Sequence, residues 1–157
     1  MDMSNTLQHY LQDRHAPYDV MSHSHTASSM ETAEAAHVPG DRLAKPVILK
    51  DDSGYVMAVI PSTYLLDVDA LARFVGRRLH LADEWELKDL FRDCELGAIP
   101  PLGQAYGMKT VMDESLMVSN DVYFEAGNHE DLIHMDIDTF LDLMKEADCA
   151  HFSKRIM

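Results

Sequence analysis

The stretch Ala44-Lys45-Pro46-Val47-Ile48-Leu49-Lys50-Asp51-Asp52-Ser53-Gly54-Tyr55-Val56-Met57-Ala58-Val59-Ile60 decides the architecture of this chain. Two apolar runs rich in β-branched residues flank Asp51-Asp52-Ser53-Gly54, where short polar side chains and a glycine favour a tight reversal. The reading is a β-hairpin with strands over residues 44–49 and 55–60, closed by Pro61-Ser62-Thr63.

Upstream, Leu7, Tyr10 and Leu11 recur at helical spacing over residues 5–13, after Ser4 or Asn5 as N-cap. Residues 18–21 read as a short strand, and the polar segment Ser22-His23-Ser24-His25-Thr26 leads into a helix that ends by His37, before Pro39-Gly40. Downstream, Val68, Leu71, Ala72 and Val75 define one face of a helix over 67–75. Residues 82–91 predict an acidic amphipathic helix that buries Trp85, Leu87 and Leu90. A Gly- and Pro-rich loop follows over 97–107, then strands over 109–112, 121–125 and 132–136. A terminal helix carries Phe140, Leu141, Leu143 and Met144, and Lys145-Glu146-Ala147-Asp148 reads as a solvated helix face. Hairpins and closely spaced strands outnumber long βαβ crossovers. The expected fold is therefore α/β of the α+β type, a mixed, mostly antiparallel, curved sheet with helices outside it.

The chain has 157 residues, 46% of them hydrophobic, enough for one substantial core and too few to favour two domains. No run approaches the roughly 20 apolar residues of a membrane-spanning helix, and the N-terminus lacks the basic and apolar blocks of a secretory signal. The expectation is a soluble, cytoplasmic protein. Cys94 and Cys149 are far apart and form no metal-binding spacing, so they read as reduced packing thiols. Met57, Met112 and Met144 fall where core side chains belong. A formal charge of −14 opposes broad nucleic-acid binding but leaves room for contact with one RNA end through a few cations such as Lys45, Lys50, Arg77 and Arg78.

Three segments carry a resemblance: Ala44-Lys45-Pro46-Val47-Ile48-Leu49-Lys50, Gly97-Ala98-Ile99-Pro100-Pro101-Leu102-Gly103 and Ala126-Gly127-Asn128-His129-Glu130-Asp131-Leu132-Ile133. In order and spacing they are similar to the YbaK/prolyl-tRNA-synthetase-associated editing domains, over residues 5–145. The resemblance implies a YbaK-like, barrel-like sheet and an aminoacyl-tRNA deacylase acting in trans on the ester of a mischarged tRNA. The implied partner is the tRNA acceptor end with its amino acid, with no DNA, membrane or cofactor; oligomeric state stays open.

By the same resemblance Lys45 faces the aminoacyl-adenosine end and supplies positive charge where negative charge develops. His129 is the second catalytic candidate, for orienting substrate or water or moving a proton. Gly97, Ala98, Ile99, Pro100, Pro101, Leu102 and Gly103 form a substrate-binding loop whose amides at Ala98, Ile99 and Leu102 are candidate oxyanion donors. Gly127 and Asn128 complete the substrate-binding set. One departure stands out: several family members place a small polar residue after the lysine, where this chain has Pro46, which offers no donor. No GxSxG or catalytic-cysteine signature is present, so attack falls to water, aided by a ribose hydroxyl of the substrate.

Two other readings stay open. His23-Ser24-His25, alternating on a strand, suggests a metal-dependent hydrolase, although no HExxH helix is present, His129 and His134 are not spaced to complete a triad with that pair, and the site residues named above are expected to hold no metal. Pro46 and the acidity also suit a non-catalytic module that binds an aminoacyl nucleotide or amino acid.

Overall fold

The computed structural model describes residues 2–26 and 28–156. In chain order the elements are α1 (Asn5–Asp13), β1 (Asp19–Ser22), α2 (Ser29–Ala36), β2 (Leu43–Asp51), β3 (Gly54–Pro61), β4 (Tyr64–Leu66), α3 (Val68–Val75), β5 (His80–Leu81) and α4 (Glu84–Leu90). They continue with β6 (Lys109–Asp113), β7 (Asp121–Glu125), β8 (Asp131–Asp136), α5 (Ile137–Leu143), β9 (Asp148–Ala150) and β10 (Ser153–Arg155). Local chemistry sets the helix starts. The side chains of Ser4, Ser28, Asp67 and Asp136 accept from the amides of Leu7, Glu31, Ala70 and Thr139, satisfying N–H groups that the first turn leaves without partners.

The expected hairpin forms the centre, with Asp51 opposite Gly54 and Ala44 opposite Pro61. Around it the main sheet runs β1-β8-β7-β2-β3-β6-β9. Pairs β1–β8, β7–β8, β2–β3 and β2–β5 are antiparallel, as is a separate two-stranded sheet of β4 and β10. Pairs β2–β7, β3–β6 and β6–β9 are parallel. The fold is thus mixed α/β with a largely antiparallel sheet flanked by helices.

The hairpin strands lack strict polar alternation because both faces are covered. Ala44, Ile48, Met57 and Val59 pack with Leu7, Leu11, Phe124 and Phe140 on one side. Leu49, Val56, Ala58 and Ile60 pack with Leu71, Val111 and Phe152 on the other. Met57, Met112 and Met144 are all buried, as their positions predict.

Two expectations are corrected. Trp85 is 69% exposed rather than buried. Helix α5 stops at Leu143, so residues 145–147 form a turn and Asp148 enters β9. Pro61-Ser62-Thr63 closes the hairpin as expected, with Ser62 and Thr63 in a turn before β4 begins at Tyr64. Among the described residues, no helix is long and apolar enough to cross a membrane.

Candidate active site

Strand β2 has a divided outer edge. Its start, Leu43 and Ala44, pairs with β7, whereas Leu49 and Lys50 pair with β5. Ladder alternation decides which backbone groups face that edge. Leu43 O accepts from Ser62 N on the β3 side, and Ile48 O accepts from Ala82 N on the other. Residues 44, 46 and 48 therefore direct their backbone groups away from β3. Pro46 falls in the gap between the two partner strands, so its missing N–H breaks no ladder bond.

The gap opens into a pocket of about 270 Å³ lined by Lys45, Pro46, Val47, Ile48, Leu81, Ala82, Leu87, Gly97 and Ile99. Lys45 is the one ionisable side chain among these. It is half-buried, and desolvation lowers its pKa below the ordinary lysine value. Among the described residues it meets no carboxylate, which leaves an uncompensated cation against apolar walls. Its neighbouring cations differ. Lys50 Nζ donates to Glu86 Oε1 at 2.7 Å, and the Arg77 guanidinium holds Asp51 at 2.5 and 2.8 Å.

The loop over residues 97–103 forms the opposite wall. Gly97 has φ +82°, a conformation that glycine adopts without a Cβ penalty. Gly97 and Ile99 line the pocket, while Ala98, Pro100, Pro101, Leu102 and Gly103 are buried behind it. The Ala98 amide donates to Glu95 O at 3.1 Å and so serves the loop itself. The amides of Gly97, Ile99 and Leu102 make no hydrogen bond among the described residues, and of the three residues Gly97 and Ile99 line the pocket.

The turn joining β7 to β8 braces this loop from behind. Gly127, at φ +106°, brings its backbone against Ser4, where a Cβ would lie 3.1 Å from Ser4 Cβ. Its carbonyl accepts from Glu95 N at 2.7 Å. The Asn128 side chain is consumed in the turn: Oδ1 accepts from the amides of Glu130 and Asp131, and Nδ2 donates to Asp131 Oδ2 at 2.6 Å. His129 is left-handed at φ +58°, uncommon for a residue with a side chain, and 3% exposed. Its Nε2 lies 2.5 Å from Leu96 O, the carbonyl just before Gly97. Neither Gly127, Asn128 nor His129 lines the Lys45 pocket; they hold the segment that does.

A carbonyl can only accept, so His129 Nε2 carries hydrogen. Its Nδ1 faces Glu125 Oε2 at 3.2 Å. Glu125 is 3% exposed, and burial pushes its carboxyl up to about 7, while the Thr32 hydroxyl and His25 pull the other way. His23 Nε2, on a side chain 1% exposed, stands 3.8 Å from Glu125 Oε1. His25 is half-exposed, 3.1 Å from Glu95 Oε1, with its ring edge-on to His129.

Both His23 and His25 follow β1 rather than alternating on it. Among the described residues, no group of three or more His, Cys, Asp and Glu side chains is arranged to hold a metal ion. Cys94 is a poor nucleophile, because burial pushes its thiol up to about 12 and it faces Tyr106 and Asp93. The sequence reading missed Glu125, Thr32 and the pocket residues Leu81, Ala82 and Leu87. The last three carry no signal beyond apolarity.

The aminoacyl-tRNA editing domain family matches residues 23–143, and the chain belongs to that family. Its fold is similar to that of hypothetical protein APE2540, with a TM-score of 0.85 and 20% identity over 96% of this chain and 100% of the other. It is also similar to a candidate trans-editing enzyme for prolyl tRNA synthetase, with a TM-score of 0.82 and 22% identity over 98% and 99%. A third neighbour, a candidate signal-transduction protein from Marinobacter aquaeolei VT8, gives 0.76 and 24% over 97% of this chain but 31% of the other. At these identities the neighbours share the fold. No curated protein matches the chain.

Proposed function

We propose that this protein hydrolyses, in trans, the ester joining an amino acid to the terminal ribose of a mischarged tRNA. The observation that carries the reading is Lys45, a half-buried cation that meets no carboxylate among the described residues, in an apolar pocket also lined by Gly97 and Ile99. Membership of the editing family supplies the substrate class. The pocket is smaller than the roughly 300–1,000 Å³ of sites that enclose a drug-sized ligand, so it suits the aminoacyl group with the nucleoside outside.

In the proposed reaction the ester carbonyl lies between Lys45 and the loop. Water adds to the carbonyl carbon, and negative charge gathers on the carbonyl oxygen. The Lys45 ammonium and the amides of Gly97 and Ile99 stabilise that charge in surroundings where water competes little. The carbon–oxygen bond to ribose then breaks, and the proton lost by water passes to the departing ribose oxygen. No pocket side chain other than Lys45 can exchange a proton, so the vicinal hydroxyl of the substrate ribose orients the water. His129, Gly127 and Asn128 act through the backbone they hold. Apolar walls would distinguish amino acids mainly by size, at about 1–3 kcal/mol per methylene.

The test is release of labelled amino acid from a panel of mischarged tRNAs, with EDTA present. Release from at least one tRNA, unaffected by EDTA, is the expected result. The absence of a side-chain base from the pocket wall favours one competitor, a module that binds the aminoacyl end without turnover. Binding across the panel without release would establish that competitor.

A further inference from the structure

Helix α4 is fastened to the sheet by a carboxylate. Of its seven residues only Glu86 is buried, at 4% exposure, while Trp85 stands in solvent and Leu87 is half-buried. Both carboxylate oxygens are engaged: Oε1 accepts from Asp83 N at 3.0 Å and Lys50 Nζ at 2.7 Å, and Oε2 accepts from the Tyr55 hydroxyl at 2.6 Å. Lys50 on β2 and Tyr55 on β3 are partners in the hairpin ladder, so one side chain ties the start of α4 to both central strands. Burying an ion pair is a poor way to gain stability, since desolvation offsets much of the attraction. What the three directed bonds add is position, because a polar network whose members are satisfied holds one geometry.

The bonds bracket one side of the Lys45 pocket. Leu81, Ala82 and Leu87 line that side; Ala82 directly precedes the bonded Asp83, and Leu87 directly follows Glu86. Across from them, Lys45, Pro46, Val47 and Ile48 belong to a strand paired with β3 along its whole length. Ala82 N donates to Ile48 O at 3.0 Å, and the two-residue β5 pairs with Leu49 and Lys50, which joins the two sides at their base. At the other end of α4, Phe91 N donates to Leu87 O at 2.9 Å, and Phe91 is 1% exposed in the core. Burial of Phe91 thus anchors the end of the helix and Glu86 anchors its start. The separation of Leu87 from β2, which limits how long a side chain the pocket admits, depends on both.

We propose that Glu86 is a positioning residue that sets the size limit for the amino-acid side chain in the Lys45 pocket, by holding Ala82 and Leu87 at a fixed distance from β2. This rests on the function proposed above and assigns the part of the fold that selects among amino acids. Glu86 touches neither the pocket nor the reacting ester and acts through the wall on either side of it.

The test loads one tRNA in turn with glycine, alanine, 2-aminobutyrate, norvaline and norleucine, whose side chains grow by one carbon at each step, and measures kcat/KM for release. The parent should show a step at which kcat/KM falls about 10- to 200-fold. In Glu86→Ala the ratio across that step should narrow at least about 10-fold, as the limit moves up the series. Glu86→Gln, whose amide keeps an acceptor and can donate to the Tyr55 oxygen, should restore the parent's step. A purely structural role would lower release of all five alike and leave the step in place. If thermal unfolding shows that Glu86→Ala does not fold, Tyr55→Phe, which removes one of the three bonds, takes its place and should narrow the ratio at least about threefold. A folded variant that keeps the parent's step, or a parent without a step, overturns the proposal. If no tRNA is deacylated, the function above fails separately, and the same series is measured as Kd for 3′-aminoacylamino-3′-deoxyadenosines, amide analogues that resist hydrolysis. A step in Kd that narrows in the variant then upholds the role of Glu86, and an unchanged step or no binding overturns it.

Discussion

Replacing Glu125 with glutamine should remove a pH dependence of stability that this one carboxyl creates. Burial raises its pKa from 4.5 to about 7 in the folded chain. Between those values the native state keeps a proton that the unfolded state has released, so stability falls as pH rises. The full difference between those values corresponds to about 3 kcal/mol at most. Below pH 4.5 the parent holds a neutral carboxyl, and glutamine replaces it with a neutral group of similar shape. Glu125→Gln should therefore match the parent there and exceed its stability by up to about 3 kcal/mol above pH 7. Urea unfolding of both proteins from pH 4.5 to 8 measures this, and groups that titrate alike in both cancel in the difference. A difference that stays flat with pH would refute the reasoning.

Two further substitutions test how the loop is held. Asn128→Ala removes three hydrogen bonds inside the turn and should cost about 2–3 kcal/mol by chemical unfolding; a loss below about 0.5 kcal/mol would mean the turn holds without that side chain. Gly103→Ala should cost about 2–3 kcal/mol, because the added Cβ would collide with Thr110 Oγ1 and lie 3.2 Å from Met57 Cβ. An unchanged midpoint would show that the packing there gives way easily.

Much of this architecture was legible in the chain because local signals and tertiary packing agree. The Asp51–Gly54 reversal, the Ser4 cap and the helical spacing of Leu7, Tyr10 and Leu11 each coincide with an observed element. Strands β4, β9 and β10, three residues each, are too short to show periodicity, and β9 depends on parallel pairing with distant β6. Trp85 was misread from its apolarity. It stands two residues from pocket-lining Leu87, which on a helix turns it to the opposite side.

The candidate site divides in the same way. Lys45 and the Gly97 loop are marked by motif, and the structure brings them to one pocket. Asn128 and His129 are marked equally, yet no local pattern reveals that their polar atoms turn inward to the chain. Glu125 ends a strand whose residues 121 and 123 are half-exposed, so its position reads as solvent-facing. Segments far away in sequence, carrying His23 and Thr32, cover it.

The most direct test of the central claim is the effect of Lys45→Met on the tRNA that the panel shows to be deacylated fastest. Methionine keeps the apolar stem and removes a desolvated charge without a partner, so stability should rise by about 0.5–1 kcal/mol. Removing the charge that faces the developing oxyanion should lower kcat/KM at least about 100-fold. A stable variant that loses activity in this way is the predicted result. A variant whose kcat/KM stays within twofold of the parent would place the reaction somewhere other than the Lys45 pocket.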